Sequence, residues 1–169
     1  TWTVDVSETL ADATYAYSIL ATDLAGNTDV EQGVITVDTT TAVTARLSAS
    51  SDTGTFSNDN YTNQATPSFD GEAEQGAIVT LNIGSNEYST VALENGTWSI
   101  DVTNSPIEGA NAYSVGVVDI AGNMAQTQGS ITIDVTAPEL SGGLDAGSDT
   151  GESASDSVTK IDTPQFSGN

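Results

Sequence analysis

TWSIDVTNSPIEGANAYSVGVVDIAGNMAQTQGSITID, residues 97–134, carries the pattern on which the fold turns. Trp98, Ile100 and Val102 alternate with Thr97, Ser99 and Asp101, and Tyr113, Val115 and Val117 alternate with Ser114, Gly116 and Val118. A period of two places one set of side chains on a buried sheet face and the other in solvent. Ile131 and Ile133 close the stretch in the same way, and Val79, Leu81 and Ile83 lie upstream with the same spacing. No segment has a helical stripe. Turn chemistry separates the runs: Gly84-Ser85-Asn86 and Asn95-Gly96 tolerate the positive φ of tight hairpins.

Seven strands follow, at 44–48, 66–71, 77–84, 87–93, 97–102, 112–119 and 128–134. Short strands punctuated this way predict an all-β, immunoglobulin-like sandwich of two sheets. Residues 1–38, TWTVDVSETLADATYAYSILATDLAGNTDVEQGVITVD, repeat 97–134 without a gap, and residues 47–71 recur as 144–168. A spacing near one hundred residues matches an autonomous domain, so the chain reads as one complete repeat, 41–137, between the end of a preceding one, 1–40, and the start of a following one, 138–169. In the first copy the plan predicts strands at Trp2, Val4 and Val6, at Tyr17, Ile19 and Ala21, and at Ile35 and Val37, with both Trp2 and Trp98 facing a core.

The chain has no His and no Cys, which removes imidazole acid–base chemistry, thiol nucleophiles, disulfides and the usual zinc and iron ligand sets. Against 24 acidic residues stand only Arg46 and Lys160, for a formal charge of −22. Such a surface repels phosphate backbones and anionic membrane faces, so nucleic acid and membrane insertion are excluded as partners. No apolar run reaches the length of a membrane span. Internal salt bridges cannot neutralise the carboxylates, which leaves solvation or external cations.

Two sets of carboxylates recur in fixed contexts. Asp23 and Asp119 each open Asp-X-Ala-Gly-Asn at a strand end, while Asp38 and Asp134 each end the last strand and start a linker. Following the strand order, the linker at Asp38, the turn 72–76 and the turn 120–125 fall at one pole, and Asp134 and the loop 51–63 at the other. Calcium takes six to eight oxygens from carboxylates, amides and carbonyls and favours such convergence. Asp38, Glu74 and Asp119 are therefore the candidate ligands, with Asn123 adding an oxygen and Asp134 taking the part of Asp38 at the next junction. The second set is Asp52-Thr53-Gly54 with Asp59, matched by Asp149-Thr150-Gly151 with Asp156 across different filler residues. Both sets also read as Asx-turns without any metal. Asp5, Asp12, Asp29, Asp101, Asp145 and Asp162 lie on outward registers or variable loops and are expected to be solvated.

Together Leu47, Ser51-Asp52-Thr53-Gly54, Asp59-Asn60, Gly71-Glu72-Ala73-Glu74-Gln75-Gly76-Ala77, Gly96-Thr97-Trp98, Asp119-Ile120-Ala121-Gly122-Asn123 and Ile133-Asp134-Val135-Thr136-Ala137-Pro138 resemble the bacterial Ig-like repeats of giant type-1-secreted, biofilm-type surface adhesins. The resemblance implies bound Ca2+ at and near repeat junctions, with Asp52, Asp59, Asp119 and Asp134 in the expected acidic positions. It also implies an extracellular, cell-surface location and non-enzymatic service as a stiff spacer. The partners it implies are neighbouring repeats of the same chain, adhesion being left to a distal domain. The first linker, Asp38-Thr39-Thr40-Thr41-Ala42-Val43, lacks the proline that Pro138 supplies to the second and is expected to bend more easily. A rival reading is a carbohydrate- or receptor-binding module, with Phe56, Tyr61 and Tyr88 as its only aromatic candidates. A two-carboxylate glycosidase ranks lower, because every candidate pair recurs or sits in a turn.

Overall fold

The computed structural model of the protein describes residues 1–153 and 155–169, and every regular element among them is a β-strand. The chain forms two compact units, Thr1–Val135 and Thr136–Asn169. In the first, β1 (Ala13–Thr22) and β2 (Thr28–Val37) make an antiparallel ribbon. A three-stranded antiparallel sheet follows the order β3 (Arg46–Leu47), β5 (Ser68–Glu72), β8 (Thr97–Asp101). The facing sheet runs β4 (Tyr61–Thr62), β10 (Met124–Ile133), β9 (Gly109–Val118), β6 (Ile78–Ile83), β7 (Asn86–Val91). Two sheets in this order make the immunoglobulin-like sandwich expected from the alternation.

The inward set is the one the period of two selects. Val79, Leu81, Ile83, Val115, Val117 and Ile131 are all buried in one cluster with Trp98, Ile100 and Phe69, each fully buried aliphatic contributing about 1.5–3 kcal/mol. Tyr113 on β9 lies across Gly129 on β10, and its ring meets Phe69 edge-on at 4.8 Å and 64°. Gly71 is required for a similar reason: a Cβ there would strike the Thr44 carbonyl and the Trp98 indole.

Three expectations need correction. The two facing sheets hold eight strands, not seven, because β4 lies inside the expected loop 51–63 and pairs parallel with the end of β10. A two-residue strand is too short to display a period, and it is set up by Asn60, whose φ of 62° turns the chain. The β9–β10 ladder is also longer than expected at both ends: β10 starts at Met124, directly after the turn, and β9 starts at Gly109, opposite Ile133 at the far end. Finally, Trp2, Val4 and Val6 form no strand, and Trp2 is 66% exposed where Trp98 is 2%. In the complete repeat β8 is held by β5, and residues 1–38 contain no counterpart of β5. The ribbon β1–β2 shows the same rule: Tyr17 lies over Gly33 as Tyr113 lies over Gly129, yet without a facing sheet it is 40% exposed against 9%.

In the second unit β11 (Gly142–Leu144) pairs antiparallel with β12 (Phe166–Gly168), Leu144 opposite Phe166 as Leu47 is opposite Phe69.

Candidate metal centre

The turn between β9 and β10 is built by Asp119 and Asn123. The Asp119 N–H donates to the Asn123 carbonyl at 3.1 Å, and Gly122, at φ 95°, returns its N–H to the Asp119 carbonyl. Asn123 then donates twice to the Asp119 carboxylate, from its main-chain N–H to Oδ1 at 2.8 Å and from Nδ2 to Oδ2 at 2.9 Å. The same scaffold recurs in the first copy, where Asn27 donates to Asp23 at 2.8 and 2.7 Å. These turns thus hold a carboxylate in fixed orientation by local chemistry alone. Burial pushes the Asp119 carboxyl up, but the bonds from Asn123, Gly122 and Ala121 outweigh it, and the group lies below the usual aspartate range. Asp23 is lowered as well, chiefly by the Asn27 side chain.

Two further segments reach this turn. Ile120 packs against Gly76, bringing the β5–β6 turn with Glu74 alongside, and the linker after β2 brings Asp38. Carboxylate oxygens of Asp38, Glu74 and Asp119 lie within 4.8 Å of one another. Oxygens that share one calcium at ~2.3–2.6 Å are separated by no more than about 5 Å, so the three fit a single ion. The set is all oxygen, which suits a hard cation. Of the chain's two basic side chains, Arg46 is engaged elsewhere, with its Nε 2.6 Å from Asp70. Asn123, expected to add an oxygen, also lies against the cluster. Its Nδ2 points at the Asp38 carbonyl at 3.1 Å and its main-chain carbonyl accepts from the Asp119 N–H, so it braces the cluster.

The loop 51–63 is folded around a second pair. Asp52 Oδ2 accepts from the Asn60 N–H at 3.4 Å, Asp59 Oδ1 accepts from the Tyr61 N–H at 3.1 Å, and Thr53 bonds across to Thr62 and Asn63. Asp149 and Asp156 repeat this with Ser157 and Val158 at 3.3 and 3.0 Å, and Ser157 adopts a φ of 61° like Asn60. Asp52 is only 8% exposed, yet its Oδ1 has no hydrogen-bond partner, and neither has Asp149 Oδ1. A buried carboxylate oxygen left without a donor is costly, and the same orphan in two copies fits a bound cation. Asp134 lies beside this loop, its N–H donating to the Thr62 carbonyl at 2.9 Å.

Four acids expected to be solvated are engaged, among them Asp29, whose Oδ1 accepts from the adjacent Val30 N–H at 3.0 Å. Asp12 accepts from Thr39 and Thr40, Asp101 from Ser68 at 2.6 Å, and Asp145 from the Gly147 N–H. Asp145 carries a local signal, as an Asp two residues before Gly, and Asp29 bonds its own neighbour; Asp12 and Asp101 depend on partners distant in sequence. The aromatic candidates divide between two places: Phe56 and Tyr61 are exposed on or beside the loop, while Tyr88 on β7 ties its hydroxyl to Asn104.

A two-sheet sandwich in this strand order, with a carboxylate cluster where a linker meets two turns, defines an immunoglobulin-like repeat module. The chain belongs to the bacterial Ig-like domain family, whose model matches residues 39–135. Among solved structures it is similar to a Ca2+-stabilised adhesin that helps an Antarctic bacterium reach out and bind ice, at 31% identity over 79% of this chain and 34% of that one, with a TM-score of 0.43. It is also similar to the tetra-tandem repeat in the extending region of a large adhesion protein, at 19% identity over 80% of this chain and 35% of that one, TM-score 0.52. A third is a bacterial immunoglobulin-like domain from the M. primoryensis ice-binding adhesin, at 30% identity over 57% of this chain and 97% of that one, TM-score 0.38. The chain thus spans about a third of the length of the first two. No curated protein sequence matches it. Among the described residues no helix is long and apolar enough to cross a membrane.

Proposed function

We propose that the chain is a calcium-stiffened segment of a secreted bacterial surface adhesin, in which Ig-like repeats bounded near 1–40, 41–137 and 138–169 act as spacers that hold a distal adhesive domain away from the cell. One observation carries the proposal: Asp38, Glu74 and Asp119, drawn from a linker and two turns, meet within 4.8 Å. An ion there ties the end of one repeat to the pole of the next and removes the repulsion among three carboxylates. The ligands are the carboxylates of Asp38, Glu74 and Asp119, with Asp134 serving the following junction. Asp52 with Asp59, and Asp149 with Asp156, hold further ions within the opening loop of each repeat. Adhesins are among the proteins to which the chain is similar, and the reading extends to this chain the calcium stabilisation ascribed to one of them.

Calcium modules outside cells bind at ~10⁻⁴–10⁻³ M, so the spacer is supple inside the cell and stiff outside it. The module performs no catalysis in this reading. Small-angle scattering during a chelator titration tests it. The maximum dimension is expected to shrink and the flexibility to rise as calcium is withdrawn, and an unchanged profile defeats the proposal.

A further inference from the structure

The first linker is gripped from both sides by groups other than the three clustered carboxylates. From the first copy, the Asp12 carboxylate accepts the Thr39 hydroxyl at 2.8 Å on Oδ1 and the Thr40 hydroxyl at 3.3 Å on Oδ2. From the second copy, Asn123 Nδ2 donates to the Asp38 carbonyl at 3.1 Å. Asp12 is itself steadied, because Tyr15 donates its hydroxyl to the carbonyl of the adjacent Ala11 at 2.9 Å. Each linker residue from Asp38 to Thr40 is therefore held by a side chain from one flank or the other.

We infer that Asp12 and Asn123 form a metal-independent latch that orders the linker and presents Asp38 to the cation site, which makes Asp12 a positioning residue for calcium binding. The inference rests on the calcium reading above only for its effect on affinity; the latch itself does not require the ion.

The comparison between linkers supports it. The second linker keeps Thr136 at the place of Thr40 and Glu108 at the place of Asp12, but has Val135 where the first has Thr39, and Pro138 where the first has Ala42. Proline restricts the backbone by fixing φ. The first linker lacks that restriction but carries two hydroxyls within reach of a carboxylate, and bonds to a charged acceptor are the stronger kind. The bend expected from the missing proline is thus opposed by side-chain clamps. The Asp12 carboxyl is held below the usual aspartate range, first by the Thr39 hydroxyl and then by the Thr39 main-chain N–H, as a charged acceptor in steady use should be.

The test uses the full chain, with heteronuclear 15N relaxation of the linker amides in chelator and calorimetric calcium titration of the same samples. Asp12→Ala removes the clamp and also a charge, so the uncharged double change Thr39→Ala with Thr40→Ala separates the two effects. Thr39→Ser with Thr40→Ser keeps both hydroxyls. Without calcium, the Thr39 and Thr40 amides of the wild type and the serine variant are expected to be as rigid as those of β2, and those of both alanine variants to become mobile. The alanine variants are expected to bind calcium at the junction about threefold to tenfold more weakly, with the serine variant unchanged. Unaltered linker relaxation and calcium affinity in the threonine-to-alanine variant overturn the latch. A wild-type chain that takes up no calcium overturns the calcium reading instead, while the relaxation data still decide the latch.

Discussion

Replacing Gly129 by alanine puts a methyl group where the Tyr113 ring lies. The added Cβ would sit 2.5 Å from the Tyr113 Cζ and Oη and 2.8 Å from Cε1, whereas carbon atoms rest at about 3.5–4.0 Å. The ring has to retreat by on the order of 1 Å. It has little room, because its other contacts are within the core and its edge-on partner Phe69 is fully buried at 4.8 Å. Overpacking of this kind costs about 1–3 kcal/mol, and disturbing the aromatic pair adds roughly 0.5–1.5 kcal/mol. A loss of about 2–4 kcal/mol corresponds to a fall of roughly 10–25 °C in melting temperature for a domain of this size. Gly116→Ala is the control, since Gly116 lies on the same sheet and a Cβ there meets nothing within 4 Å. Thermal unfolding followed by near-ultraviolet circular dichroism, at constant calcium, gives both values. Equal melting temperatures for the two variants would refute the packing argument.

Asp119→Asn is expected to weaken calcium binding at the junction by about tenfold or more, because site affinity follows the number of charged ligands; the matching Asp23→Asn change, in a turn that gathers no such cluster among the described residues, leaves that titration unaltered. Asp52→Ala together with Asp149→Ala removes the two orphaned carboxylates, and calorimetry is expected to show a lower calcium stoichiometry with the junction ion retained. The calcium-free chain is expected to lose stability in acid. Asp12, Asp23 and Asp119 are each lowered from 3.8 in the folded state, so their contribution is complete above that value and disappears as pH falls through their folded values. Urea midpoints should agree at pH 7 and pH 5 and drop below about pH 4; a midpoint that rises in acid would contradict the assignment.

Alternation in the sequence marks the apolar inward residues of β6, β8 and β9, because one-sided burial imposes a period of two and these strands are long enough to show it; it misses the buried polar Asn111 at the start of β9. Trp2 has the same pattern as Trp98 yet is 66% exposed, because residues 1–38 hold no counterpart of β5 and pattern states which face is apolar and not what covers it. The meeting of Asp38, Glu74 and Asp119 followed from strand order alone, as each sits at a chain reversal on the same pole. Asn123 also falls at this pole, but its Nδ2 bond to the Asp38 carbonyl depends on a residue 85 positions away and not on local sequence. Asp12 left no trace, because its partners are 27 and 28 residues away and the contact exists only once the linker is in position.

The most direct measurement is anomalous diffraction from crystals of the chain grown in millimolar calcium. A cation peak bonded to Asp38, Glu74 and Asp119 is the expected result. Well-ordered density with only water between those three side chains would contradict the account at its centre.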